Sequence, residues 1–134
     1  MAAAGFKSLA IAAALAAASA CTSVNFTDKS VNGAWRVTSV SGRAVPDDGT
    51  YHMLFDDRRV SARFGCNSMG GAFVIEEQSL RIDGLTSTLM GCPEPAATIE
   101  SNAAEILNQE MRMTSLGKGL LRLDATAGSI ELRR

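Results

Sequence analysis

Three cysteines, one histidine and two pairs of adjacent aspartates are the residues of this chain most able to do chemistry. Cys66 and Cys92 lie 26 positions apart, each directly after a glycine. Cys21 stands alone at the end of an apolar leader, Ala10 to Ala20. Two thiols can close a disulfide, ligate a metal or exchange electrons. No C-x-x-C spacing is present, and His52 is the sole histidine, so a zinc site would lack ligands. Asp47-Asp48 and Asp56-Asp57 fall in turn-rich stretches where water screens them. Glycoside hydrolysis would instead need an apolar cleft to raise one carboxyl. An enzyme would have to find its nucleophile or base among His52, Asp56 and Asp57, and no such constellation is legible. The expectation is no catalytic residue, no metal and no cofactor.

The leader decides what the cysteines are for. Met1 to Ala20 carries one charge, Lys7, then an apolar stretch, then small residues. This is the layout of a secretory signal, and the apolar run is short for a membrane span. An alanine-rich helix of the mature protein is the alternative. Leu15 to Cys21 resembles a bacterial lipobox, in which the cysteine is lipidated and becomes the first residue, although Ala18 stands where leucine is usual. Ala18-Ser19-Ala20 also suits ordinary signal peptidase, which would leave Cys21 as a free thiol. The lipoprotein reading is preferred, with residues 1–20 as signal peptide and 21–32 as lipid-anchored tether. Thr22, rather than aspartate, suggests sorting to the outer membrane, facing the periplasm. Without lipidation the product would be a soluble periplasmic or secreted domain. In an exported small domain two thiols usually pair, so a Cys66–Cys92 disulfide is expected. Closing that loop stabilises the fold by about 3–4 kcal/mol in the chain-entropy model.

Lys and Arg number 13 against 14 Asp and Glu, a net charge of −1. No basic stripe exists to attract phosphates, which excludes nucleic acid as the expected partner. Thr22 to Asn32 is polar apart from Val24, Phe26 and Val31 and reads as the tether.

From Gly33 onward the pattern becomes short apolar alternations between turn residues. Trp35 and Val37 alternate with Arg36 and Thr38, as in a half-buried strand. Tyr51 to Phe55 is a second strand. Asp56-Asp57-Arg58 is a turn into Arg59 to Phe64, where Val60, Ala62 and Phe64 share a face. Gly71 to Glu76 and Leu80 to Asp83 continue the meander. Pro93-Glu94-Pro95 then precedes one helix, Ala97 to about Met111, with Ile99, Ala103, Ile106 and Leu107 as its apolar stripe and Thr98 as a possible cap. Leu120 to Asp124 and Ile130 to Arg133 form a final hairpin. The fold class is mostly β (α+β): a small antiparallel sheet or open barrel-like meander with one helix packed against it.

Several blocks carry a family resemblance. They are Gly65-Cys66-Asn67 leading to Gly70-Gly71, Leu85-Thr86-Ser87-Thr88-Leu89-Met90-Gly91-Cys92, the helix with Glu105, and the terminal hairpin with Leu121-Arg122-Leu123. Together with the early Trp35, this order resembles the META domain, also called HslJ-like, of bacterial envelope lipoproteins. The resemblance implies a domain at 33–134. It also implies a small mostly β, non-enzymatic protein, associated in some members with heat response or antibiotic resistance. No catalytic residues carry over. The family commonly has an aromatic residue within Met113 to Gly119, where this chain has none.

Asn67 reads first as a turn residue able to bond backbone groups, and second as a ligand contact. Gly70-Gly71 permits a bulge or close backbone approach. The methionines Met53, Met69, Met90, Met111 and Met113 read as core fillers, or as an adaptable apolar opening to a barrel. The leading functional expectation is an envelope lipoprotein that binds a partner protein or a hydrophobic small molecule, its membrane contact made through the N-terminal lipid. The alternative is an inhibitor of an envelope protease or lysozyme acting through the loop Val45 to Thr50.

Overall fold

A computed structural model of the chain describes residues 23–134, together with Gly5, Ala10 and residues 12–17. Cys21 and the expected cleavage site at residues 18–20 lie outside the described residues. No helix among the described residues is long and apolar enough to cross a membrane.

The alternation beginning at Gly33 produces nine antiparallel strands. They are β1 (Gly33–Val40), β2 (Arg43–Ala44), β3 (Tyr51–Asp56), β4 (Arg59–Phe64), β5 (Ser68–Glu76), β6 (Ser79–Ser87), β7 (Met111–Gly117), β8 (Leu120–Ala125) and β9 (Gly128–Arg133). Strand follows strand from β3 to β9 in sheet order, and β9 pairs back onto β1 through Arg36↔Arg133 and Val40↔Ile130. The meander is therefore a closed eight-stranded barrel, with β2 an extra strand on β1. Closure removes the unpaired edges that an open sheet would present.

Alternation sets which side chains fill the barrel. Trp35, Val37, Met53, Phe55, Val60, Ala62 and Phe64 point inward and are buried, as their spacing predicts. Phe55 and Phe73 meet edge to face with ring centroids 5.2 Å apart. An eight-stranded barrel is just wide enough for its own side chains, and Leu80, Met111, Leu123 and Ile130 complete the filling. The turn at Asp57-Arg58 has φ of 44° and 61°, the left-handed pair that matches strand twist in a two-residue hairpin. In β5 the register shifts between Gly70 and Ala72, a bulge opposite β6. A Cβ at Gly71 would lie 2.7 Å from Ile82 Cγ2 and 2.9 Å from the Asp83 carbonyl oxygen. Both expected roles of the glycine pair, bulge and close approach, are present.

The long helix is α2, Ala96–Leu107, preceded in chain order by a single turn α1, Asp28–Val31. Ile99, Ala103, Ile106 and Leu107 form the buried face of α2 as expected. Three details differ from the sequence reading. The helix stops at Leu107 instead of Met111, because Met111 pairs with Leu80 and alternates inward with Met113 as β7. Thr98 is not the cap: Pro95 holds that position without a side-chain bond, and the Thr98 amide donates to the Glu94 carboxylate at 3.3 Å. Order also begins before Gly33. Thr27 forms a capping box with Ser30, Val31 is buried, and the Trp35 indole N–H donates to the Val31 carbonyl at 2.7 Å. Arg134 lies 4.2 Å over the Trp35 ring and donates to the Ser30 and Asn32 carbonyls. Thus the last residue latches the segment that precedes the first barrel strand.

Candidate functional site

Asn67 links β4 to β5 and, among the described residues, is the one polar residue in the buried set. Its environment is built by three chain segments distant in sequence. The Asn67 backbone N–H donates to Glu100 Oε2 at 2.7 Å, and its Nδ2 donates to Glu100 Oε1 at 2.6 Å. Nδ2 also lies 3.3 Å from the Met90 carbonyl and 3.2 Å from Cys92 Sγ. Oδ1 accepts from the Thr88 hydroxyl at 2.9 Å and the Met90 N–H at 2.7 Å. Every hydrogen-bonding position of this amide is thereby used inside the protein, as a buried amide requires. The geometry is that of a clamp on the 88–92 loop.

Beside the clamp, Cys66 and Cys92 are joined in the expected disulfide. Their sulfurs and a Glu100 oxygen lie within 4.8 Å of one another. Both sulfurs are spent in the disulfide, so no thiolate is left there to hold a metal. Glu100 is the residue whose role here the sequence reading missed. Its position 33 residues from Asn67 left only a charged residue near the start of the helix as signal.

The clamp has a consequence at the surface. Thr88 pairs with Ser68 through its N–H to the Ser68 carbonyl at 3.0 Å and through its hydroxyl, which accepts from the Ser68 N–H at 3.1 Å. Met90 is held by Asn67. Leu89 sits between these two fixed residues and is 96% exposed, and Met90 is 57% exposed. Scattered apolar residues on a surface need no explanation. An apolar tip whose backbone is fixed on both sides is different, because the entropy of ordering it for a partner is already spent. Burying such a leucine on association is worth about 1.5–3 kcal/mol. Met90 thus departs from the core-filler expectation, whereas Met53, Met69, Met111 and Met113 meet it.

The other candidate residues are not brought together. His52 and Asp56 lie on one face of β3 but two residue pairs apart, roughly 13 Å. Asp57 is in the hairpin turn. His52 is exposed, its Nδ1 3.0 Å from the Gly49 carbonyl. In the Val45 to Thr50 loop, Asp47 pairs with Arg36 at 2.6 Å. Hydrogen bonds from the Thr50 hydroxyl and amide hold the Asp48 carboxyl below the usual carboxylate range.

This arrangement of barrel, covering helix and cysteine-flanked loop has a match among known families: the META domain family model covers residues 27–133. The chain belongs to the META domain family. The match begins six residues before Gly33, in agreement with the docked α1 segment. Two structures solved by NMR have the same fold. One superposes with a TM-score of 0.71 at 20% identity, covering 81% of this chain and 94% of its own. The other, a protein from Burkholderia xenovorans, superposes with a TM-score of 0.64 at 21% identity, covering 80% of this chain and 85% of its own. No curated protein matches the chain.

Proposed function

We propose that this META domain is a non-enzymatic binding module of the bacterial envelope, and that it grips a partner protein with the Leu89–Met90 tip. The observation that carries the proposal is the clamped exposure of Leu89, held between Thr88–Ser68 and Met90–Asn67. Lipidation at Cys21, an outer-membrane location and a stress- or resistance-linked role belong to the same proposal, motivated by the leader and the family resemblance.

The position of the tip supports a protein partner. The N-terminal segment docks beside the turns at one end of β4 and β5: Asp28 lies 3.5 Å from Arg58, and the Phe26 N–H donates to the Glu77 carbonyl. Asn67 and the 88–92 loop are at the other end of the same strands, roughly 25 Å away along β5. A lipid on Cys21 would hold the first end near the membrane and present Leu89 away from it. The filled barrel favours a protein partner over a hydrophobic molecule taken up inside.

A photo-reactive leucine analogue at position 89 tests this in the living host. The expected result is a discrete crosslinked adduct at position 89 that is absent with the analogue at Leu120. Identical adducts at both positions, or none at 89, would sink the proposal. With the partner in hand, Leu89→Asp should weaken binding by at least about tenfold.

A second reading is inhibition of an envelope hydrolase through the Leu89 tip, in place of the loop Val45 to Thr50. In Val45 to Thr50 the one large aliphatic side chain, Val45, packs against the core, whereas Leu89 is exposed and available to enter a cleft. Inhibition of an envelope hydrolase that Leu89→Asp abolishes would select this version.

A further inference from the structure

The outer wall of the barrel holds a feature that the Leu89 loop does not use. Register sets Arg133, Arg36, His52 and Arg63 side by side across β9, β1, β3 and β4. Directly opposed residues share a face. The inward neighbours Leu132, Trp35, Met53 and Ala62 are buried, so the four point outward. With adjacent strands about 4.8 Å apart, the row spans roughly 14 Å. Opposed like charges disfavour a sheet, which is the cost of such a row unless an anion lies across it.

One anion already does so in part. The Asp47 carboxylate reaches the Arg36 guanidinium at 2.6 Å from a loop position where its own side chain is 69% exposed. Arg63 turns its Nε toward the Cys66 carbonyl at 3.2 Å. Arg133, opposite Arg36, makes no ion pair among the described residues. Beside these side chains lies a groove of about 470 Å³, lined by Ala34, Arg36, Gly49, His52, Arg133 and Arg134; Trp35 and Tyr51 border it but are themselves buried. The Gly49 carbonyl can only accept, so the bond to His52 places the proton on Nδ1.

We propose that this groove binds a small oxyanion, a phosphate or carboxylate carried on an apolar body. Arg36 and Arg133 grip the charge, and Asp47 is its internal competitor. Two guanidiniums on opposed strand positions are close enough to hold one oxyanion between them, and charge-assisted bonds of this kind are among the strongest. Exposed ion pairs such as Arg36–Asp47 contribute little, so the ligand displaces Asp47 readily. Ala34, two residues before Arg36 on the same outward face of β1, and the aliphatic stems of the arginines supply the apolar contact for the rest of the ligand.

Phenyl phosphate titrated into the isotope-labelled full chain at constant ionic strength tests this by amide chemical shifts. Saturating shifts at Ala34 to Arg36, Gly49 to His52 and Arg133 are expected. Arg133→Ala should weaken binding by about tenfold, and Asp47→Asn should tighten it by roughly threefold or more, since each removes or frees one charged contact. The tightening separates a ligand site from a merely structural ion pair. Shifts spread equally to Arg43, Arg58 and Arg81, or no response to Asp47→Asn, would overturn the proposal. Inorganic phosphate binding as tightly as phenyl phosphate would overturn the apolar arm of it. Attachment to phosphatidylglycerol vesicles without phenyl phosphate binding would assign the row to a membrane headgroup surface and overturn the small-ligand groove. Neither outcome touches the Leu89 tip, so the two proposals fail separately.

Discussion

Asn67 holds Met90 by both of its backbone groups, accepting from the Met90 N–H at 2.7 Å and donating to the Met90 carbonyl at 3.3 Å. A side-chain amide thus takes the place of a neighbouring strand and lays down the backbone on which Leu89 is displayed.

Replacing Asn67 removes the clamp and orphans its partners. Asn67→Ala leaves Glu100 Oε1 and the Met90 backbone without their side-chain partners, while the backbone N–H still donates to Glu100 Oε2; it should cost about 2–4 kcal/mol, from penalties of 1–3 kcal/mol for each unsatisfied buried group. Asn67→Asp should cost more, because it sets an acceptor against the Glu100 oxygen now 2.6 Å from Nδ2. Urea denaturation of the three proteins gives the order; equal stability of Asn67→Ala and wild type would mean the amide is not a structural hub.

The disulfide acts on the same loop from the other side. Cys66→Ser with Cys92→Ser should lower stability by about 3–4 kcal/mol for a closed loop of this length. The intact mass of the protein from its host reports the bond and the anchor together. A chain starting at Cys21 with acyl groups, gaining two protons on reduction, is the expected result. An unacylated chain would remove the lipoprotein arm of the proposed function while leaving the disulfide to be judged by the reduction step.

At the β5 bulge, Gly71→Ala puts a methyl 2.7 Å from Ile82 Cγ2 and 2.9 Å from the Asp83 carbonyl oxygen. Overpacking of this kind costs about 1–3 kcal/mol. Gly91, with nothing within 4 Å of an added Cβ, is the control: Gly91→Ala should change the denaturation midpoint little.

Tyr51 makes stability depend on alkaline pH. Burial pushes its phenol above the ordinary 10.0, with the Asp48 charge adding to the effect. Gly65 closes over the ring, since a Cβ there would lie 2.6 Å from the phenol oxygen. A raised acid favours the neutral phenol in the fold. Its contribution is therefore complete below about pH 10 and is lost as pH rises through the higher folded value. Thermal melts should fall above pH 10 in the wild type and fall less in Tyr51→Phe; equal slopes would show that Tyr51 is not the group responsible.

Local pattern made most of the strands legible, because alternation at Trp35–Val37 or Val60–Phe64 is a property of neighbours two residues apart. It failed where two periods overlap. Met111 continues the helical stripe of Ile106 and Leu107, and it also begins the alternation with Met113. Pairing with Leu80 settles the matter in favour of the strand. The polar stretch before Gly33 looked like a free tether because Val31 and Phe26 are isolated apolar residues. Their partners, Trp35, Arg134 and Glu77, are supplied by the fold.

By itself, then, the sequence determined the β character, the turns and the helical stripe, since each rests on residue type and short-range spacing; the pairing of Cys66 with Cys92 followed from the expectation of an oxidising compartment. Only the tertiary structure decided that the first and last strands join, because β1 and β9 meet across nearly the whole chain. It alone converged Asn67, Met90 and Glu100, which are scattered over 33 residues. It alone turned Leu89 outward. In one dimension an apolar leucine beside a methionine reads as core; whether water or protein surrounds it depends on contacts that no local window contains.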